Sequence, residues 1–222
     1  MRTSRATIEE LPKIELHCHL DGSISMKTIR QLAQRAGIAL PVSDDDLRLK
    51  ITAPQDAESL LDYLAPFDFV LPMLQTETAL ELAAYDILEQ AQKDNIRYME
   101  IRFAPTLHTA GGLTLSQVVA AVTRGLAAGE RDFQVKANAL LCGMRHESID
   151  SVLTVVNLFA DGDLTHLAGF DLAGAEVDGF PKHFAPVLEK VKENQIPLTL
   201  HVSMATCFFK FLDFLSNEFE TS

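Results

Sequence analysis

The feature that most constrains this chain is its rhythm. Short β-patterned runs alternate with helical stretches, and the connections are far too long for hairpins. The runs are the opening stretch 12–23, then 96–105, 135–142, 167–174 and 196–201. Between them, apolar spacing predicts helices over 25–36, 56–69, 76–94, 114–131, 146–159 and 182–193. Gly37 supplies a stop for the first helix, and Thr76 is an N-cap candidate. Strands joined by helix-length crossovers pair in parallel, with the helices covering the sheet. The insert 25–94 is the largest departure from the pattern and holds three or four helical pieces. No short repeat, low-complexity segment or linker divides the chain.

A closed (β/α) barrel and a doubly wound sheet both gather chemistry at the carboxyl ends of their strands. Polar residues collect there. His17, His19 and Asp21 follow the first strand, Arg145 and His146 the third, and Gly174 and Glu176 the fourth; His201 closes the fifth. No Gly-x-Gly-x-x-Gly follows the first strand, which weakens a nucleotide-cofactor reading. Location alone does not choose between the two architectures.

In the opening stretch, Ile14-Glu15-Leu16-His17-Cys18-His19 carries two histidines at i and i+2. Residues two apart in an extended strand project from the same face. Two neighbouring imidazoles suit a metal such as zinc, and they suit equally a pair of ordinary hydrogen-bonded histidines at a strand end. Glu100 and Arg102 likewise share one face of the second strand. They face solvent in an isolated sheet and must pair inside a barrel.

Composition excludes some functions. The net charge is −12, from 31 acidic and 19 basic residues, which argues against a nucleic-acid-binding surface and disfavours docking on an anionic membrane. The three cysteines, Cys18, Cys142 and Cys207, form neither a disulfide framework nor a Cys-x-x-Cys knuckle. They are expected to be buried thiols in a reducing compartment. The N-terminus lacks the apolar core of a signal peptide, and no apolar run reaches 18 residues. A cytoplasmic protein is the expectation.

Four segments, in order, resemble the adenosine deaminases within the zinc-dependent amidohydrolase barrels. They are Lys13-Ile14-Glu15-Leu16-His17-Cys18-His19-Leu20-Asp21-Gly22-Ser23, Arg97-Tyr98-Met99-Glu100-Ile101-Arg102-Phe103-Ala104-Pro105, Gly169-Phe170-Asp171-Leu172-Ala173-Gly174 with Glu176, and Leu198-Thr199-Leu200-His201. The resemblance implies an α/β fold, an incomplete TIM-type (β/α)8 barrel of about five parallel strands with covering helices. It implies that His17, His19 and His201 are ligands of one zinc ion. It places His19 and Asp21 against the ribose side of adenosine and brings Gly174 close to the purine ring. Zinc lowers the pKa of bound water to about 7, and the implied reaction converts adenosine and water to inosine and ammonia. Relatives acting on adenine or on a nucleotide share the His-x-His strand, and the run Leu20-Asp21-Gly22-Ser23 favours the nucleoside.

The chain also departs from that pattern. The family follows its fifth-strand histidine with Ala-Gly-Glu, whose glutamate shuttles protons, whereas Met204 stands at that position here. No residue of this chain is assigned a catalytic role. A barrel of eight units needs roughly 250 residues, and five strands are found. Residues 1–201 read as the family's N-terminal part. Residues 202–222 read as an unrelated tail holding five of the thirteen phenylalanines, the kind of tail that a change of reading frame or an unspliced intron produces. The expectation is an inactive truncated deaminase, poorly soluble alone. The alternatives are a non-functional fragment, or an interaction module using an exposed apolar face.

Overall fold

The computed structural model of the chain describes residues 5–54, 60–162, 164–174 and 180–201. The expected tail, Met204, Glu176, Cys207 and the start of the helix expected over 56–69 lie outside those residues. Among the described residues there are five parallel strands: β1 (Lys13–His19), β2 (Ile96–Phe103), β3 (Lys136–Met144), β4 (Leu167–Ala173) and β5 (Leu198–Leu200). Their order is β1-β2-β3-β4-β5. A doubly wound sheet reverses its strand order at a switch point, and no reversal occurs among the described strands. Sequential parallel winding with a helix between successive strands is the pattern of a TIM-type barrel, so the fold is five successive units of one.

The described helices are α1 (Arg5–Glu10), α2 (Met26–Ala36), α3 (Asp44–Ile51), α4 (Leu60–Val70), α5 (Glu77–Lys93), α6 (Leu115–Phe133), α7 (Ile149–Asp161), α8 (Phe180–His183) and α9 (Ala185–Glu193). Local chemistry sets their ends. The Ser25 hydroxyl accepts from Thr28 N, and Gly37 closes α2 at φ 68°, a left-handed conformation natural to glycine. Thr76 caps α5 through Ala79 N. Thr114 and Gln117 form a reciprocal capping box on α6. α3 was hidden in the insert, although Ser43 caps it and Asp44, Asp45 and Asp46 fill its first turn.

Two expected helices shift. The one predicted from 146 starts at Ile149, because the Ser148 hydroxyl accepts from Ser151 N and fixes the entry. The one predicted over 182–193 breaks at Phe184, which is fully buried, with a proline just inside α9. β5 is shorter than predicted since Pro197 has no N–H to donate.

The chain divides into two compact units, Met1–Leu141 with Leu164–Ala168, and Cys142–Asp163 with Gly169–Ser222. The division passes through β3 and β4. In the first unit, β1 pairs with β2, β2 and β3 run in register from Tyr98↔Lys136 to Phe103↔Leu141, and α5 packs along α6. Ile101, Phe103, Leu80, Leu88 and Leu126 are buried there. In the second unit, β4 pairs with β5 from Phe170↔Leu198 to Leu172↔Leu200, and α7 packs on α9. A side chain at Gly143 would meet Val152 and Phe170 at 2.5 and 2.9 Å, so this glycine is what lets that core close.

Candidate functional site

The two histidines of β1 sit on an irregular strand. The β1–β2 register slips between Glu15 and Cys18, the signature of a bulge, a device that re-aims side chains near sites. Two interactions hold it. The Glu15 carboxylate accepts from His17 N at 2.8 Å, and Arg102 of β2, itself buried, donates to the Leu16 carbonyl at 2.7 Å. Arg102 thus pairs with backbone, while Glu100 accepts from the Tyr98 hydroxyl at 2.8 Å. The His17 and His19 rings lie 5.3 Å apart between centroids, tilted by 45°. The two imidazoles therefore lie side by side, as the i and i+2 spacing anticipates.

Around them the first unit builds an apolar cover. Phe67 of α4 meets the His19 ring edge-on at 5.7 Å. A Cβ on Gly22 would come within 2.8 Å of the same phenyl ring, so glycine is needed for that approach. Asp21 is buried, and burial pushes its carboxyl up to about 6 against the opposing pull of backbone N–H groups at Asp21 and Gly22. The loop behind it is tethered to α5. Asp86 accepts from Ser25 N, Ser25 Oγ, Thr28 Oγ1 and Gln90 Nε2 at 2.7–3.0 Å, and Gln90 also donates to the Ser23 carbonyl at 2.9 Å. The sequence did not mark out Asp86. Its signal was a lone acid among the buried positions of an alanine- and leucine-rich helix.

The second unit holds the other expected site residues. His201 lies just beyond β5, and its N–H continues the ladder to the Leu172 carbonyl at 3.1 Å. Its Nδ1 is 2.7 Å from Oδ2 of Asp171. Gly174 takes φ 95°, with Arg145 N, Met144 Cε and His146 Nδ1 surrounding the place of a Cβ at 3.5–3.7 Å. There is space for a methyl group but not the backbone conformation. Arg145, buried, donates to the Gly174 carbonyl at 3.1 Å and to the His201 carbonyl. Gly174 and His201 are thus fastened by one guanidinium. Cys18 and Cys142 are buried thiols outside any disulfide. Asp171 and Arg145 had no assigned role in the sequence, though a carboxylate inside the apolar run Leu167-Ala168-Gly169-Phe170-Asp171-Leu172 was a visible anomaly.

Parallel strands wound in sequence with a helix between successive strands define a (β/α) barrel type of fold. The adenosine deaminase family model matches residues 12–207. An adenosine deaminase of Enterococcus faecalis is 50% identical over 200 residues, covering 90% of this chain and 59% of that protein. Among solved structures, an adenine deaminase from Arthrobacter aurescens superposes with a TM-score of 0.78 at 30% identity, covering 92% of this chain and 61% of that one. An amidohydrolase from Burkholderia ambifaria with bound zinc does so with a TM-score of 0.77 at 25% identity, covering 91% and 56%. This chain belongs to the adenosine deaminase family, whose members depend on a metal ion. It spans about 59% of the length of the Enterococcus relative, and the family match runs past His201 to residue 207. Among the described residues no helix is long and apolar enough to cross a membrane.

Proposed function

We propose that the chain carries the metal-binding and nucleoside-binding side of an adenosine deaminase, with His17, His19 and His201 holding one zinc ion. The observation that carries this reading is the pair of imidazoles fixed 5.3 Å apart on the bulge at the end of β1. The donor set fits the metal, since zinc takes neutral imidazole nitrogen. When bound, zinc activates water as a Lewis acid at neutral pH. The chain's own residues supply the rest of the binding side. Asp21 and His19 meet the ribose under the Phe67 cover, and the backbone at Gly174 admits the flat purine. The reaction of the family reading is adenosine and water to inosine and ammonia, in the cytoplasm.

The same reading gives this polypeptide no turnover of its own. Met204 stands where the resemblance places the proton-shuttling glutamate, and a thioether moves no proton. General acid–base help is worth about 10²–10⁴-fold. One assay tests both statements: zinc content and adenosine turnover measured on the same purified chain. About one zinc per chain, lost in His17→Ala and in His201→Ala, with no inosine formed, is the expected result. A chain that takes up no zinc overturns the metal reading, and inosine production at an enzymatic rate overturns the inactivity. The exposure of Ile14 and Leu16, 68% and 52%, favours a second reading in which this apolar face of β1 serves protein interaction.

A further inference from the structure

His201 is bracketed in the second unit by two buried residues. From one side Arg145 donates to its backbone carbonyl, which fixes the point about which the ring pivots. From the other, Asp171, with no exposed surface, sets Oδ2 2.7 Å from the ring's Nδ1. The strand register explains the meeting. Asp171 lies opposite Thr199, and one alternation further along the extended chain His201 returns to the Thr199 face. The Cys142 thiol donates to the same Oδ2 at 3.7 Å.

We propose that Asp171 is the positioning residue of His201, holding the ring proton on Nδ1 so that Nε2 presents its lone pair to a metal ion. The inference rests on the reading of His201 as a ligand. A neutral imidazole has one donor and one acceptor nitrogen, so fixing the donor fixes the acceptor. An ionised carboxylate offers only acceptors, and a buried one is costly unless a donor meets it. With the ring nitrogen 2.7 Å away, a proton on Nδ1 is the donor this proposal assigns to it. Ligating histidines generally donate their second ring N–H to a carboxylate or carbonyl, and loss of that partner lowers metal affinity about 10–100-fold. A purely structural ion pair makes a different demand: it requires both ring nitrogens protonated and leaves no lone pair for a metal.

Two readouts on the 222-residue chain test this. Long-range ¹H–¹⁵N NMR on metal-free protein, with His201 identified by its loss in His201→Gln, reports the tautomer directly. Competition against a chromogenic chelator reports zinc affinity. The expected result is an Nδ1-protonated His201 in the wild type. Asp171→Asn, whose amide oxygen still accepts, weakens zinc about tenfold, and Asp171→Leu moves the proton to Nε2 and weakens zinc about a hundredfold. An Nε2-protonated or doubly protonated wild-type ring overturns the proposal, as does unchanged zinc affinity in both variants. If the wild type takes up no zinc, the ligand reading fails, while an Nδ1 tautomer that Asp171→Leu abolishes still supports the positioning role. If neither variant folds, the wild-type tautomer alone decides.

Discussion

At the scale of single residues, two buried groups of the first unit pull the acid stability in opposite directions. The Asp21 carboxyl is raised from 3.8 to about 6 by burial, so the folded chain holds this proton more tightly than the unfolded one. Its contribution is present below about pH 4 and is lost as pH climbs toward 6. His108 is the mirror case. It is fully buried, with Nδ1 3.2 Å from the Leu74 carbonyl and no partner for Nε2 among the described residues. Burial lowers its pKa from 6.5 to about 4. Its contribution is present above pH 6.5 and is lost as pH falls toward 4. Each shift amounts to about 3 kcal/mol across its window, so they nearly cancel in metal-free wild-type protein. Urea melts between about pH 4 and 7 are expected to be nearly flat for the wild type. Stability is expected to rise with pH in Asp21→Asn and to fall with pH in His108→Asn, and parallel profiles for all three would contradict the assignment. These shifts were not legible in the sequence. A carboxylate after a His-x-His strand reads as a site residue, but its proton affinity depends on how deeply the fold buries it.

At the scale of elements, the α5–α6 pair is held close by small residues. A Cβ on Gly125 would meet the Glu81 carbonyl oxygen at 2.4 Å and Ala84 Cβ at 2.8 Å, and one on Gly129 would meet Leu88 Cδ2 at 2.7 Å. Alanine is favoured over glycine in a helix interior by about 1 kcal/mol, so helix propensity alone predicts that Gly125→Ala stabilises. Contact with backbone reverses the sign, because a carbonyl oxygen in a neighbouring helix cannot turn aside as a side chain can. Gly125→Ala is expected to lower the melting temperature, with overpacking typically costing about 1–3 kcal/mol. A melting temperature raised by the substitution would show that the helices separate freely. Asp86 makes the complementary case, since four donors converge on it from Ser25, Thr28 of α2 and Gln90 of α5. Asp86→Ala is expected to cost about 2–4 kcal/mol through the unsatisfied groups left behind, and chemical denaturation checks it. Element positions were readable because caps and periodicity are local; the Thr76 cap, read from the sequence, acts within three residues, as do the Ser25 and Thr114 caps that the structure adds. The breaks at Phe184 and Ser148 were harder, since continuing apolar periodicity masked them.

For the whole molecule, the exposed side chains of β1 set solution behaviour. Ile14 and Leu16 alternate onto one face and are largely exposed, although the strand pattern would bury them in a completed sheet. Such apolar surface promotes association. Replacing both with lysine is expected to raise the soluble fraction and abolish concentration-dependent association in sedimentation velocity, with the thermal midpoint little changed. Unchanged association would move its source elsewhere. What the sequence by itself determined is the order of strands and helices, the caps that bound them, and the histidines at strand ends, because these follow from interactions a few residues apart. What only the tertiary structure decided is non-local. It chose the sequential strand order over a doubly wound one, set the bulge that Arg102 fastens across 86 residues of chain to Leu16, and brought Asp171 against His201. Those depend on hydrogen bonds between segments tens of residues apart, and no periodicity along the chain encodes which segments will meet.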